Sequence, residues 1–534
     1  MKRTKWFWFM TVLSLLVVLA ACSNNTATND GNSSDGKESE GAPKGGVAVF
    51  GAHDEIMTFW DPSDSYSNEI VAMNNMYETL LRYDANSETF TNVLAEGYEV
   101  SEDGLTWTFT LKQGVKFHTG NEMTAEAAKA AIERTMERGK GAAFIWDPVQ
   151  EIHAKDAYTL EFVLSYPAAL DTIVSSGYAS FIFDAKAAEE NGGEQWFNEG
   201  NSAGTGPYKP EKWERGSQLI LTSNNEYWGE WKPNQFQKVV FKSIPEANTR
   251  LQMAKGGELH FVQQLPNELV KSLSGDNTVS IQETESFQQL ISLFNTEKEP
   301  LNNPKVRQAI SYAIPYESIV KDILGNTATQ SFGSIPKGLW GHSEDLKQYE
   351  YNIEKAKELL KEAGVDGGKL TLTYLSADED ERQIAELMKI EFAKIGFDLE
   401  LKGMLWEAQW DLAKSPNPEE RQDILFMYWW PDYADPYSFM KNLYGSEDEI
   451  VFNLAYFKNV SYDKLVDEAQ KIAGVDREKA IDLYKQAQDI LVEESPGLSL
   501  YDKKYVRIIN NSLGGYVDNP AYPNVVFFYD TFKQ

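Results

Sequence analysis

LAEGYEVSEDGLTWTFTLKQGVKFHTGNEMTAE, residues 94–126, places a strand and the start of a helix in one short stretch. In WTFTLK (107–112), Trp107, Phe109 and Leu111 alternate with Thr108, Thr110 and Lys112, the period of two of a half-buried strand. Thr124 then stands at an N-cap, Glu126 falls in the first turn, and TAEAAKAAIERTMERG runs on to Gly139, a plausible helix stop. Strand and helix in such close succession predict a mixed α/β or α+β body.

The flanking chain reads the same way. NPKVRQAISYA opens with Asn303 as cap and Pro304 at the first helical position; Pro315 interrupts it, and a second helix is predicted to run to Gly325. YNIEKAKELLKEAG has Asn352 as cap and Gly364 past its end. In DREKAIDLYKQAQDILVEESP (476–496), Ala480, Leu483, Ala487, Ile490 and Leu491 share one face. Apolar runs at 219–222, 239–241, 370–374 and 424–428 are expected to be strands.

The last of these runs ends in WWPDYADP (429–436), where two carboxylates sit on a turn made of rings and prolines. Asp432 arrives just where the strand should end. A carboxylate there either meets a ligand in a strand-end crevice or caps its own turn through Asx-type bonds. The first reading is taken for Asp432 and the second for Asp435.

At 534 residues the chain is long enough for several domains, and its 42% hydrophobic content is ordinary for a globular protein. A net charge of −31 argues against a nucleic-acid partner. The amino terminus has a positive start at Lys2, Arg3 and Lys5, then WFWFMTVLSLLVVLA and the small residues Ala20 and Ala21, the pattern of an export signal over 1–21. It ends in LAAC, similar to the lipobox of bacterial lipoproteins, and Cys22 is the only cysteine in the chain. Residues 22–44 lack any large apolar side chain and are expected to be a flexible tether. A protein held by lipid at the outer face of the cytoplasmic membrane is the expectation.

Motifs of catalysis are missing. Five scattered histidines form no HExxH pair, and there is no GxSxG elbow, phosphate loop or GxGxxG after a strand. No metal and no cofactor is expected. GTGPY (204–208) carries Pro207 where a phosphate nest would need a donor, so it reads as a structural turn.

FWDP, YETLLRYD, the 94–126 stretch, GTGPYKPEKWERGSQLIL, NNEYWG, NNPKVRQAISYAI and YNIEKAKELLKEAG follow one another in the order of a known family. From about residue 45 onward the chain resembles the large extracellular solute-binding proteins of ABC importers, family 5, which take dipeptides, oligopeptides and nickel complexes. The resemblance implies a two-lobed periplasmic-binding-protein fold (type II with an extra inserted domain) and a ligand cleft between lobes. Lobe I would comprise 45–78, 205–288 and 509–534, the inserted domain 79–204, and the other lobe 289–508. It implies a monomer that delivers a short peptide to permease subunits driven by cytoplasmic ATPases. It also implies that Asp432, flanked by Trp429 and Trp430, meets the peptide's α-ammonium. Arg382 matches the arginine that takes the α-carboxylate, and Ser67 and Tyr516 are further ligand-binding candidates. An oligosaccharide or metal-chelate receptor on the same scaffold, and an extracellular hydrolase, are the competing readings.

Overall fold

The computed structural model describes residues 45–58, 60–65, 69–87 and 89–534. Its centre is a mixed sheet of eleven strands. From one edge the order is Phe397–Met404, Gly368–Leu375, Ile424–Trp429, Val279–Phe294 and Gly497–Asn510. Phe261–Val262, Val47–Ala52, Lys238–Ser243, Gln218–Ser223 and Tyr208–Glu214 continue it, and Ala328–Gln330 adds to Gly497–Asn510.

Two strands, Val279–Phe294 and Gly497–Asn510, are far longer than the rest and belong to both halves of this sheet. Their lower parts pair regularly from Val279↔Asn510 to Glu285↔Lys504, and Gly497–Asn510 there also holds Phe261–Val262. The ladder then jumps to Gln289↔Asp502, leaving Ser286, Phe287 and Gln288 opposite a single residue. Above the jump, Gln289↔Trp429 to Phe294↔Ile424 attach the other half. A bulge that unpairs residues bends and twists the ladder, so the two half-sheets join at a built-in hinge.

Part of the chain between Val47–Ala52 and Tyr208–Glu214 forms its own four-stranded antiparallel sheet, in the order Ala95–Val100, Thr106–Leu111, Thr159–Leu164 and Val149–Ala154. Trp107, Phe109, Trp146 and Phe162 fill its core. Helix Ala125–Arg138 packs on it, with Thr124 accepting from the Ala127 N–H and Gly139 at φ 58° closing the end. This is the helix expected from sequence; those at Pro304–Tyr312 and Ile353–Ala363 also keep their expected caps, and the expected helix Arg477–Glu494 is capped by Asp476. The helix predicted after Pro315 differs: Tyr316–Ser318 passes into a π-helical turn at Ile319–Ile323.

One buried apolar cluster extends from Leu94, Trp107 and Phe162 through Ile173 and Tyr178 to Trp429, Tyr433 and Phe439. The small sheet's domain and the half-sheet that carries Trp429 therefore share a dry interface. On the other side of the hinge, the buried Arg507 on the second long strand donates to Asp518 at 2.9 Å and to Asn524 at 2.6 Å, pinning the carboxyl-terminal segment to that strand.

Candidate ligand-binding site

Strand Ile424–Trp429 is flanked on both sides and buried over nearly its whole length, as its ILFMYW run demands. It runs parallel to Gly368–Leu375, with Leu372 level with Ile424. The carboxyl ends of both strands thus open on one edge of the sheet, the usual place for a ligand crevice in such sheets. Pro431 and Pro436 stiffen the turn that follows, and helix Tyr437–Tyr444 leaves it.

Both carboxylates of the turn point inward. Asp435 is fully buried, and its Oδ1 accepts from the Tyr437 N–H at 2.8 Å, the Asx bond that starts the helix. Asp432 is 9% exposed; its Oδ2 accepts from Ser438 Oγ at 2.9 Å and Asn442 Nδ2 at 3.4 Å. Among the described residues no lysine, arginine or histidine lies within ion-pair distance of Asp432. Burial penalises its charged form more than the Ser438 hydroxyl restores it, pushing the Asp432 carboxyl up to about 6. Burial likewise pushes Asp435 up to about 7, with the Tyr437 N–H and the Arg477 charge working against it.

The small domain covers this turn with one short segment. Ser176 Oγ donates to the Asp432 carbonyl at 2.7 Å, and Tyr178 Oη accepts from Trp430 Nε1 at 2.9 Å. Thr172 Oγ1 donates to Asp435 at 3.4 Å, and Arg477 reaches Asp171 at 3.2 Å. Trp429 stands edge-on to Phe452 at 5.4 Å, and its buried indole N–H meets no acceptor among the described residues. The rings and the covering segment keep water from Asp432.

The other predicted residues are placed differently. Arg382 lies in the first turns of helix Glu379–Ala393, at the same sheet edge, but it is partly exposed and bonded to Glu379 and Glu386 of its own helix. Tyr516 packs edge-on against Phe261 at 5.2 Å beside Arg507 and Asp518, across the hinge from the Trp429 turn. Ser67 and Cys22 lie outside the described residues.

Sequence reasoning missed a cavity of about 670 Å³ at the hinge, of the size that holds small ligands. Tyr83, Glu283, Glu285 and Phe287 line one side and Lys337 and His342 the other. Asp502, opposite the bulge, accepts from the Lys337 N–H at 2.9 Å and from Gln289 Nε2 at 2.8 Å, fixing the second wall to the hinge. Trp340 in that wall donates to the Ala434 carbonyl at 3.0 Å, coupling it to the Asp432 turn. The lining comes from distant segments with no shared motif, so no sequence signal marks it.

A model of the bacterial extracellular solute-binding proteins, family 5, matches residues 89–449, well over half of the chain. The chain belongs to that family. The probable D,D-dipeptide-binding periplasmic protein DdpA of Escherichia coli K12 is 32% identical over 458 residues, covering 84% of this chain and 87% of that protein. The glutathione-binding protein GsiB of Salmonella typhi is 27% identical over 483 residues, with 89% and 92% covered. The Helicobacter pylori binding protein DppA, solved with the peptide STSA, superposes with a TM-score of 0.78 at 26% identity, covering 92% of this chain and 98% of that one. The fold is accordingly the family's two-lobed one, and the protein is a solute receptor rather than an enzyme.

The raised Asp432 carboxyl makes a prediction for the unliganded protein. The folded state holds this proton more tightly than the unfolded chain, whose carboxyl titrates near 3.8. Its contribution to stability is therefore full below pH ~4 and is lost as pH rises through about 6. Asp432→Asn should gain on the parent by on the order of 2–3 kcal/mol between pH 4 and pH 7. Denaturant unfolding of both proteins at the two pH values measures this, and a constant difference would contradict it.

Proposed function

We propose that this receptor captures short peptides outside the cell and delivers them to an ABC permease. The observation that carries the reading is Asp432: a dry carboxylate that meets no cation among the described residues, at a strand-end crevice and under the small domain. A peptide's α-ammonium is the charge that such a group lacks. The relatives' names support the choice of ligand, since they bind a D,D-dipeptide, glutathione and the peptide STSA. Trp429 and Trp430 keep the pair dry, and Tyr516 and Ser67 contribute from the opposite lobe. Arg382 takes the α-carboxylate once the ligand draws it from Glu379 and Glu386.

Lobe I is read as 45–78, 205–288 and 509–534, the inserted domain as 79–204 and the other lobe as 289–508. The place where Val279–Phe294 takes up Ile424–Trp429, at Gln289, supports the limit at 288. The receptor acts as a monomer, tethered at the outer face of the cytoplasmic membrane by a lipid on Cys22 and linked to it by 22–44. Two acyl chains on one cysteine give stable anchoring where one would not. Cys22→Ala should lose the lipid mass and partition into the aqueous phase in detergent; unchanged mass and partitioning would rule the anchor out.

A charge pair enclosed between lobes is weakly screened, and losing one member costs about 2–5 kcal/mol. With the tightest binder from a pool of di- to pentapeptides, Asp432→Asn should weaken binding by roughly 30-fold or more. Acetylating that peptide's amino terminus should harm the parent far more than the variant, because both changes remove one pair. Calorimetry on the four combinations tests this, and additive losses would reduce Asp432 to a cap of its own turn.

A further inference from the structure

The small domain meets the Trp429 half of the molecule along a second seam, beside the Asp432 turn. Asp171 and Arg477, which face each other there, are 306 residues apart, so packing alone brings them together. On one side the loop between helices Val460–Ala473 and Arg477–Glu494 offers Gly474, Val475 and Arg477. On the other stand Gly104, in the turn before strand Thr106–Leu111, and Ala168 and Asp171, around the short helix Leu170–Ile173. The two backbones come close because each side lacks a Cβ at the point of contact. A Cβ on Gly474 would lie 2.5 Å from the Ala168 carbonyl oxygen, and one on Gly104 would lie 2.5 Å from Val475 Cγ2. Gly474 has φ −76°, which alanine adopts freely, so this glycine answers to the approaching domain and not to its own backbone.

Arg477 completes the seam. Its guanidinium lies over the Trp340 ring, 4.9 Å from the centroid, and Trp340 is itself tied to the Ala434 carbonyl. From there Nη2 donates to both Asp171 oxygens, at 3.2 and 3.3 Å. Asp171 is buried, and its Oδ1 also accepts from the Thr172 N–H at 3.0 Å. Each charge is thus oriented by its own side before the two meet, which leaves little side-chain ordering to oppose the contact. The Arg477 side chain stays 35% exposed, so the attraction is moderate rather than strong. We infer that this seam is a latch: Asp171 and Arg477 hold the small domain over the Asp432 turn and thereby set the receptor's affinity for every solute alike. They are positioning residues, bonded to each other and not to a ligand. A receptor whose covered state is only partly populated binds more weakly by that fraction, whatever the ligand's chemistry. The inference builds on the solute-receptor role of the family and requires no particular solute.

The first test needs no solute. Cys22 is the chain's only cysteine, so Cys22→Ala combined with Gly104→Cys and Val475→Cys leaves one possible cross-link, across the seam. The closeness of Gly104 to Val475 suits a disulfide. Its rate of formation under a mild oxidant should fall about threefold or more when Arg477→Gln is added. Asp171→Asn on top of Arg477→Gln should slow it no further, because both remove one pair. Gly474→Ala, which leaves the pair intact and wedges the backbones apart, should slow it as well. Unchanged rates, or independent losses from the two charge variants, would overturn the latch. The second test is calorimetry with the tightest binder from the di- to pentapeptide pool and with its amino-acetylated form. Arg477→Gln should weaken both by the same factor, about threefold or more, whereas Asp432→Asn tells them apart. No weakening, or weakening of one form only, would overturn the claim on affinity. If no peptide binds the parent, the peptide reading fails and the cross-linking rates alone decide the latch.

Discussion

A carboxylate held out of water, with no cation beside it among the described residues, constrains everything around the Trp429 turn. Removing Asp432 from solvent is unfavourable, and the neutral donors Ser438 and Asn442, with its own backbone N–H, repay part of that. The arrangement persists because large apolar groups surround it: Trp429 against Phe452, Tyr433 in the core, and the small domain laid over the top. A protein gains little by storing an unpaired charge for its own stability. A receptor gains much, because the first cation to enter finds its partner already dehydrated and already oriented.

The crossing strands make that site operable. If the lobes were separate domains on a flexible linker, closure would have to order a large interface from many relative positions. Here the two half-sheets share continuous backbone through Val279–Phe294 and Gly497–Asn510, and the irregularities of that ladder fall at Ser286–Gln288 and at the step from Leu290 to Ile291. Asp171, Thr172, Ser176 and Tyr178 in the small domain then meet Arg477, Asp435, Asp432 and Trp430 one for one.

What the sequence reveals follows from how local each cause is. Thr124, Asn303 and Asn352 cap their helices through bonds spanning two or three residues, so their roles can be read in one dimension. The strand ending at Trp429 is equally legible, because a central strand must be apolar on both faces. The long strand Val279–Phe294 is not: VSIQETES pairs at a half-exposed part of the sheet and looks like loop, and the bulge breaks its alternation. Arg382 shows the reverse limit, since alignment places it at the correct edge but cannot foresee that Glu379 and Glu386 hold it. The segment that covers Asp432 is small and polar, and only tertiary folding brings it there.

Proton linkage on binding tests the central claim most directly. With the Asp432 carboxyl near 6 in the unliganded protein, about half of the molecules carry its proton at pH 6. An ammonium arriving beside it favours the ionised form, so peptide binding at pH 6 should release about half a proton from this group. Calorimetry in buffers of different ionisation enthalpy reads that number, and Asp432→Asn should remove it. Binding with no proton release, or with the same release in the variant, would mean that the ligand's charge is met elsewhere.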